Sequence, residues 1–359
     1  MRFPEPSPSS AVNLRPPRLH AASSVWQAFV VSMSVLATAV SAEALILQVP
    51  EDHSTIQAAI DAAPEGAIVL VGPGLYVENL DFLGKAVRLE GAGPDSILDG
   101  AGLGPVVRFV NGEGPFSVID SFTIRGGFAD TGGGIEIRDS SPTVLRNVIV
   151  GNSARGVGSG IYIAGLGSSP DILNNLLVFN TGVDGGDPHT IQVDDASPAI
   201  VNNTIVRNDS NAILTSGRGA PDIRNNILAR NGSRTVGGGV KGRGICDFAR
   251  ASTIQYNLFY RNTRSALLTA STDFRLVRRA EQALARPRLA FNLDAAPRFL
   301  SRGIPRSIGR AMRERFVPGA DPERPSRAVG AGDPDPAYVD IGGARNTIGF
   351  TGGPWAPLF

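Results

Sequence analysis

Apolar and polar positions along this chain recur in short units, and no helical period is sustained through its middle. Val148-Ile149-Val150, Leu176-Leu177-Val178 and Thr204-Ile205-Val206 are apolar or β-branched runs, each flanked by asparagines. The first asparagine of the unit returns at Asn147, Asn175, Asn203, Asn226 and Asn257, in steps of 28, 28, 23 and 31 residues. A second follows five residues after each, at Asn152, Asn180, Asn208, Asn231 and Asn262. Short β-branched segments bounded by Gly, Ser, Asn and Pro predict strands and corners. A fixed unit with elastic spacers predicts one turn of structure repeated along an axis, with insertions pushed into loops. Turns stacked about 4.8 Å apart would bury a continuous apolar column. An Asn at the same corner of every turn would then form a side-chain amide ladder.

Upstream, Ile68–Val71, Ala86–Glu90, Ser96–Leu98, Val106–Val110 and Ser117–Ile124 read as strands. Ser54-Thr-Ile-Gln57 fits a capping box, and Ile56, Ala59, Ile60 and Ala63 share one face of a short helix. That helix, Ser54–Ala63, is expected to cover the exposed apolar end of the coil. Downstream, Arg264–Arg327 is dense in arginine, and short helices are expected at Glu281–Ala285 and Ile308–Phe316.

The chain is similar to the right-handed parallel β-helix repeat proteins of the pectin-lyase-like fold. The segments that carry this resemblance are Val49 through Ala63, Gly74-Leu-Tyr-Val-Glu-Asn-Leu80, Ser96-Ile-Leu-Asp-Gly100 and the tail from Ala331 to Pro354. The resemblance implies an all-β solenoid with an N-terminal capping helix and an irregular C-terminal wrap. It also implies that Asn292–Leu300 lies along the outside of the coil. The expected organisation is a signal peptide over 1–42, the β-helix over 43–270, and an Arg-rich extension over 271–359 that packs along the coil and ends in a family-type tail, 331–359.

The ends and composition narrow the setting. Val25–Val40 is an apolar run preceded by Arg15, Arg18 and His20 and followed by Val40-Ser-Ala42, the pattern of a secretory signal. The expected location is therefore secreted or cell envelope, with no span in the mature chain. Formal charge over 359 residues is +1, so no global field draws the chain to nucleic acid. Lys85 and Lys241 are its only lysines, and the arginine skew reflects genome composition. A single cysteine, Cys246, excludes an internal disulfide and is expected as a small residue in a turn of the coil. A monomer is expected.

Candidate chemistry collects on one face. Superposing Ile135–Arg138, Ile161–Ala164, Ile191–Asp194 and Ala212–Thr215 turns Ile135/Ile137, Ile161/Ile163, Ile191/Val193 and Ala212/Leu214 inward. Two outward columns result: Glu136, Tyr162, Gln192, Ile213 and Arg138, Ala164, Asp194, Thr215. The long insertions Gly126–Gly134, Ser153–Gly160 and Thr181–Thr190 would wall a shallow groove beside them. Arg138, Asp187, His189 and Asp194 are the catalytic candidates, and Glu136, Arg155, Tyr162 and Gln192 the substrate-binding ones. Asp184 and Asp195 are candidate metal ligands. No cofactor is assigned, and Ca²⁺ is the ion these acids would suit.

Three chemistries fit these residue types. A β-eliminating lyase needs an Arg or Lys base, often with acids holding Ca²⁺. An inverting glycosidase needs two separated carboxylates. Asp194-Asp195 resembles the paired aspartates of polygalacturonases, although the Gly-His-Gly and Arg-Ile-Lys elements of that family are absent. Gly185-Gly-Asp-Pro-His189 resembles the Tyr-Gly-x-Asp-Pro-His-Asp element of alginate epimerases, with Asp184 at the tyrosine position and Thr190 at the last aspartate. The expected function is to bind, and on an enzyme reading to process, an extracellular acidic polysaccharide. Lyase or epimerase chemistry stands ahead of hydrolysis. The alternative is a non-catalytic, adhesin-like surface or structural solenoid.

Overall fold

The computed structural model describes residues 44–183, 189–232, 242–249, 251–270, 272–284, 288–299, 316, 326–340, 344–354 and 356. The signal segment expected over 1–42 lies outside them, as does the helix expected over 308–316 apart from Phe316.

Three parallel sheets form a coil. Sheet 1 has ten strands, from Ile46–Val49 to Leu289–Ala290. Sheet 2 has nine, from Gly74–Val77 to Leu293–Asp294. Sheet 3 also has nine, eight parallel strands from Leu80–Asp81 to Ser265–Thr269 and a ninth, Asp273–Phe274, antiparallel at its end. Like residues stack in register through the core. Sheet 1 aligns Val144, Ile172, Ile200, Ile223 and Ile254. Sheet 2 aligns Ile149, Leu177, Ile205, Leu228 and Phe259. Together with Ile137, Ile163 and Val193 of sheet 3 they make one buried column.

Both asparagine columns are ladders at the corners. The first joins sheets 1 and 2, and the second leaves sheet 2. Asn175 Oδ1 accepts the backbone N–H of Asn147 at 2.9 Å and its Nδ2 at 3.2 Å. Asn203, Asn226 and Asn257 repeat this. Each Nδ2 also donates to a backbone carbonyl of the preceding turn, as Asn203 does to Ile172 at 2.8 Å. The ladder starts one turn early, where Phe122 N–H donates to Asn147 Oδ1. It ends one turn late, on Asn292. Asn292 is thus a rung inside the coil, followed by the sheet 2 strand Leu293–Asp294, and the expected path of this segment along the outside is corrected.

The residue before each ladder asparagine is left-handed: Arg146, Asn174, Asn202, Asn225 and Tyr256 have φ of 56, 54, 56, 58 and 54°. Ser121, at φ 65°, has the same role, so Ser117–Ile124 is two strands, Val118–Asp120 and Thr123–Arg125, rather than one.

The N-terminal helix α1 spans Ile56–Ala62 and covers the end of the core with Ile56, Ala59 and Ile60. Its cap is Thr55, not Ser54: Thr55 Oγ1 accepts from Ala58 N at 3.2 Å. The first two free N–H groups, of Ile56 and Gln57, go to the Glu78 carboxylate, both at 2.9 Å. A carboxylate from the next turn therefore takes the place of the expected local box. Lys85 Nζ closes the other end on the carbonyls of Ile60, Asp61 and Ala63.

The tail lies against the outer face of sheet 2. Val148, Val150, Leu176, Val178, Val206 and Ile227 point outward yet are buried, in one cluster with Phe316, Ala328, Ile348 and Phe350. Strands buried on both faces read as unbroken apolar runs, which explains Val148-Ile149-Val150 and its counterparts. The left-handed asparagines hold this wrap. Asn174 Nδ2 donates to Phe350 O and Gly352 O, Asn202 Nδ2 to Asn346 Oδ1, and Asn225 Oδ1 accepts from Asp333 N.

Adjacent asparagines should therefore fail differently. Asn203→Ala removes a buried ladder member and should cost about 3 kcal/mol in chemical denaturation. Asn202→Ala should leave the coil's unfolding midpoint nearly unchanged and expose 326–356 to limited proteolysis. Equal effects in both assays would contradict this division. Asp171 gives a pH test. Burial raises its pKa, so its unfolded state ionises first and stability falls as pH rises through the ordinary carboxylate range. Asp171→Asn should raise the melting temperature at neutral pH, with the gain vanishing below that range.

Candidate functional site

Sheet 3 presents the two expected outward columns, with one register correction. Ile191 pairs with Ile213, Gln192 with Leu214, Val193 with Thr215 and Asp194 with Ser216. Ile213 and Thr215 thus face inward, and Leu214 and Ser216 face outward. The corner before Pro221 spans five residues from Ser216, against four from Asp194 to Pro198, and one residue of slip moves a whole strand to its other face. The first column reads Arg108, Glu136, Tyr162, Gln192, Leu214, Cys246, Leu268. The second reads Arg138, Ala164, Asp194, Ser216. Cys246 lies within the strand Arg243–Asp247 and not in a turn.

A continuous polar strip runs along the coil axis on this face. Arg108 Nε stands 3.4 Å from Glu136 Oε2, and Arg138 Nε donates to Glu136 Oε1 at 2.7 Å. The Arg138 guanidinium lies over the Tyr162 ring, 4.6 Å from its centroid. Asp194, whose charge acts on the Tyr162 phenol, accepts from Gln192 Nε2 at 2.9 Å and Ser216 Oγ at 2.6 Å. Gln192 Oε1 is buried and has no hydrogen-bond partner among the described residues. Burial would lower the Arg138 pKa, but the hydrogen bond and charge of Glu136, with Tyr162, raise it above its ordinary value. Burial and then the Asp194 charge raise Tyr162, so its phenol remains a donor at neutral pH.

The insertions make a fourth, three-stranded parallel sheet: Phe128–Thr131, Ser153–Val157 and Thr181–Gly182. This wall meets the strip at Thr131, which donates to Glu136 Oε1 at 3.0 Å and accepts from Arg138 Nη2 at 2.8 Å. It turns back at Gly132 and Gly158, both at positive φ, where a Cβ would lie 2.8 Å from Glu136 Cα and Tyr162 Cβ respectively. Arg155 belongs to the wall, paired with Asp130 at 3.0 Å and stacked over Phe128.

The structure gathers Arg138, Glu136, Tyr162, Gln192 and Asp194, but not all the candidates. His189 is buried at the start of its strand, with Nε2 3.3 Å from Asn211 Nδ2. Its register lies two turns and five strand positions from Arg138, roughly 15 Å or more at standard strand spacing. Asp195 sits at a left-handed corner, where Oδ1 accepts from Arg218 N at 2.9 Å. Asp184 and Asp187 lie outside the described residues. Sequence reasoning missed Arg108, Thr131 and Ser216. Arg108 had a signal, a charged residue at the outward position of an apolar strand. Ser216 was hidden by the register, and Thr131 by its place in a loop.

The fold is a three-sheet parallel β-helix, and the chain is a β-helix repeat protein. Within it, residues 116–276 match the family model described as periplasmic copper-binding protein, NosD. Among solved structures, a pectate lyase, Pel9A, is similar over 85% of this chain and 95% of its own, at 13% identity and a TM-score of 0.32. No curated protein matches.

The copper in that family description can be tested against the donors present. Copper favours imidazole, thiolate and thioether ligands. Beyond residue 43 the chain has only His53, His189, Cys246 and Met312 of these types, and Met312 is not among the described residues. Cys246 is buried between Leu214 and Leu268 in the strip column, His189 stands beside Asn211, and His53 lies at the opposite end of the coil. Among the described residues no group of three His, Cys, Asp or Glu side chains is placed to hold a metal. These residues do not fit a copper site. Titration with Cu(I) or Cu(II) should give no stoichiometric complex. A tight complex abolished by His189→Ala or Cys246→Ala would overturn this.

Proposed function

We propose that the chain acts outside the cytoplasm as a non-catalytic solenoid that binds a linear polysaccharide along the open face of sheet 3. The observation that carries the reading is the polar strip itself. It runs parallel to the coil axis from Arg108 to Ser216, is walled on one side, and includes the buried acceptor Gln192 Oε1. A linear array of hydrogen-bonding groups beside an aromatic ring suits a chain of hydroxyl-bearing sugars. The external location is supported by the periplasmic description of the matching family and by the signal-like run Val25–Val40. No helix among the described residues is long and apolar enough to cross a membrane.

Catalysis is disfavoured by the state of the candidate groups. A base must give up its proton, and Arg138 is held charged by Glu136. Asp194 already accepts from Gln192 and Ser216, and His189 belongs to another part of the strand. An acidic polymer was the expectation from residue types. In the strip, however, Arg108 and Arg138 both pair with Glu136, and Asp194 balances the second charge. Recognition along this face therefore rests on hydrogen bonds, and neutral polymers are included as ligands.

Affinity electrophoresis of the mature protein through neutral and uronate polysaccharides should show retardation that depends weakly on salt. Gln192→Ala and Tyr162→Ala should weaken it about tenfold, with melting temperature as the folding control for both. Failure to bind any polysaccharide would sink the binding reading. Release of unsaturated or shortened products would sink the non-catalytic one.

A further inference from the structure

The second asparagine column stops at the C-terminal end of the coil, and the way it stops leaves donors without acceptors among the described residues. Each earlier member hands two hydrogens to the Oδ1 of the next. Asn208 gives its N–H and Nδ2 to Asn231 Oδ1 at 3.2 and 3.0 Å, and Asn231 gives both to Asn262 Oδ1 at 3.1 and 3.0 Å. Asn262 Nδ2 still donates backward, to Leu228 O at 2.9 Å. It has no successor. Among the described residues nothing accepts from the Asn262 backbone N–H or from its second amide hydrogen. The first column, by contrast, continues for another turn, from Asn257 to Asn292.

Asn262 lines a cleft of about 530 Å³ whose lining also includes Arg275 and Leu276, just before the helix α2 (Val277–Leu284), and Arg279 within it. The cleft is strongly cationic. Its lining includes Arg261, Arg264, Arg275 and Arg279, and Asp294 is the only acid among the described lining residues. Arg264 is engaged by Asp273 at 2.8 Å, and Asp294 Oδ1 accepts the N–H of Val277 at 3.0 Å. Arg261, Arg275 and Arg279 are exposed and form no ion pair with any described residue. On the strip of sheet 3, by comparison, both arginines are paired with a carboxylate.

We infer that this cleft binds a tetrahedral oxyanion, the phosphate or sulfate ester group of a ligand, and that one of its oxygens takes the position of the missing asparagine Oδ1. Two neutral donors fixed by the ladder set the location of that oxygen. Three arginine forks supply the compensating charge, and guanidinium geometry matches an oxyanion with several equivalent acceptors. A neutral sugar would satisfy the two amide hydrogens and leave the charge uncompensated. A dianion answers both features of the cleft. The site is separate from the strip on sheet 3 and does not depend on that reading.

The test is calorimetric titration of the mature protein with inorganic phosphate and, in parallel, inorganic sulfate at low ionic strength. Saturable binding to one site is expected, weakened about tenfold or more in an Arg275→Gln, Arg279→Gln double variant and again in Arg261→Gln. These side chains are exposed, so the melting temperature should not change. Tighter binding of phosphate assigns a phosphate ester, and equal or tighter binding of sulfate a sulfated one. Absence of a saturable heat, or affinity unchanged in the arginine variants, would refute the site. Failure here is distinguishable from failure on sheet 3: Gln192→Ala should leave phosphate binding intact, and the arginine variants should leave polysaccharide retardation intact.

Discussion

Everything in this coil hangs on one interaction: a side-chain oxygen of asparagine that accepts both the backbone N–H and the amide hydrogen of the asparagine one turn before it. The corner it holds is unfavourable by itself. The preceding residue is left-handed, which costs an L residue on the order of 1–2 kcal/mol, and it includes arginine, tyrosine and phenylalanine at Arg146, Tyr256, Phe179 and Arg207. The bend also turns backbone groups away from the sheet ladder, where burial would leave them unpaired. An Asn Oδ1 from the next turn meets that demand, while Nδ2 satisfies a carbonyl of the turn before. Each rung therefore fixes three successive turns at once, and stacking in register follows from it.

Once the corners are fixed, the outer faces are used differently. Sheet 2 is apolar outside as well as inside, and the tail covers it through Phe316, Ile348 and Phe350. Sheet 3 keeps a charged and hydroxylated outer face, and the described parts of the insertions beside it stack into a wall. Among the described residues the tail packs on sheet 2 and not on sheet 3. The end of the coil is a third environment. There the repeat runs out, and among the described residues the Asn262 donors lack the asparagine acceptor that each inner rung has.

The candidate site was only partly legible. Arg138, Glu136, Tyr162, Gln192 and Asp194 share one face because strand alternation and the pairing of Ile135, Ile161 and Ile191 are both visible as spacing. The next strand was misread by one residue because corner lengths are elastic and a proline marks only the far side of the corner. The role of Asp194 was not visible, since its two side-chain donors, Gln192 and Ser216, lie on its own strand and on the next turn.

By itself, the sequence determined the class of fold, the axis of repetition and the position of the ladder. An asparagine at a fixed place in a repeating unit has one physical use when it is buried, and the period survives in the spacing however long the loops become. The tertiary structure alone decided what each neighbouring residue does. In Asn174-Asn175, Asn202-Asn203 and Asn225-Asn226 two identical side chains stand side by side. The left-handed corner turns the first outward to hold the tail and the second inward to hold the coil. No local pattern separates them, because the difference lies in a segment more than a hundred residues away.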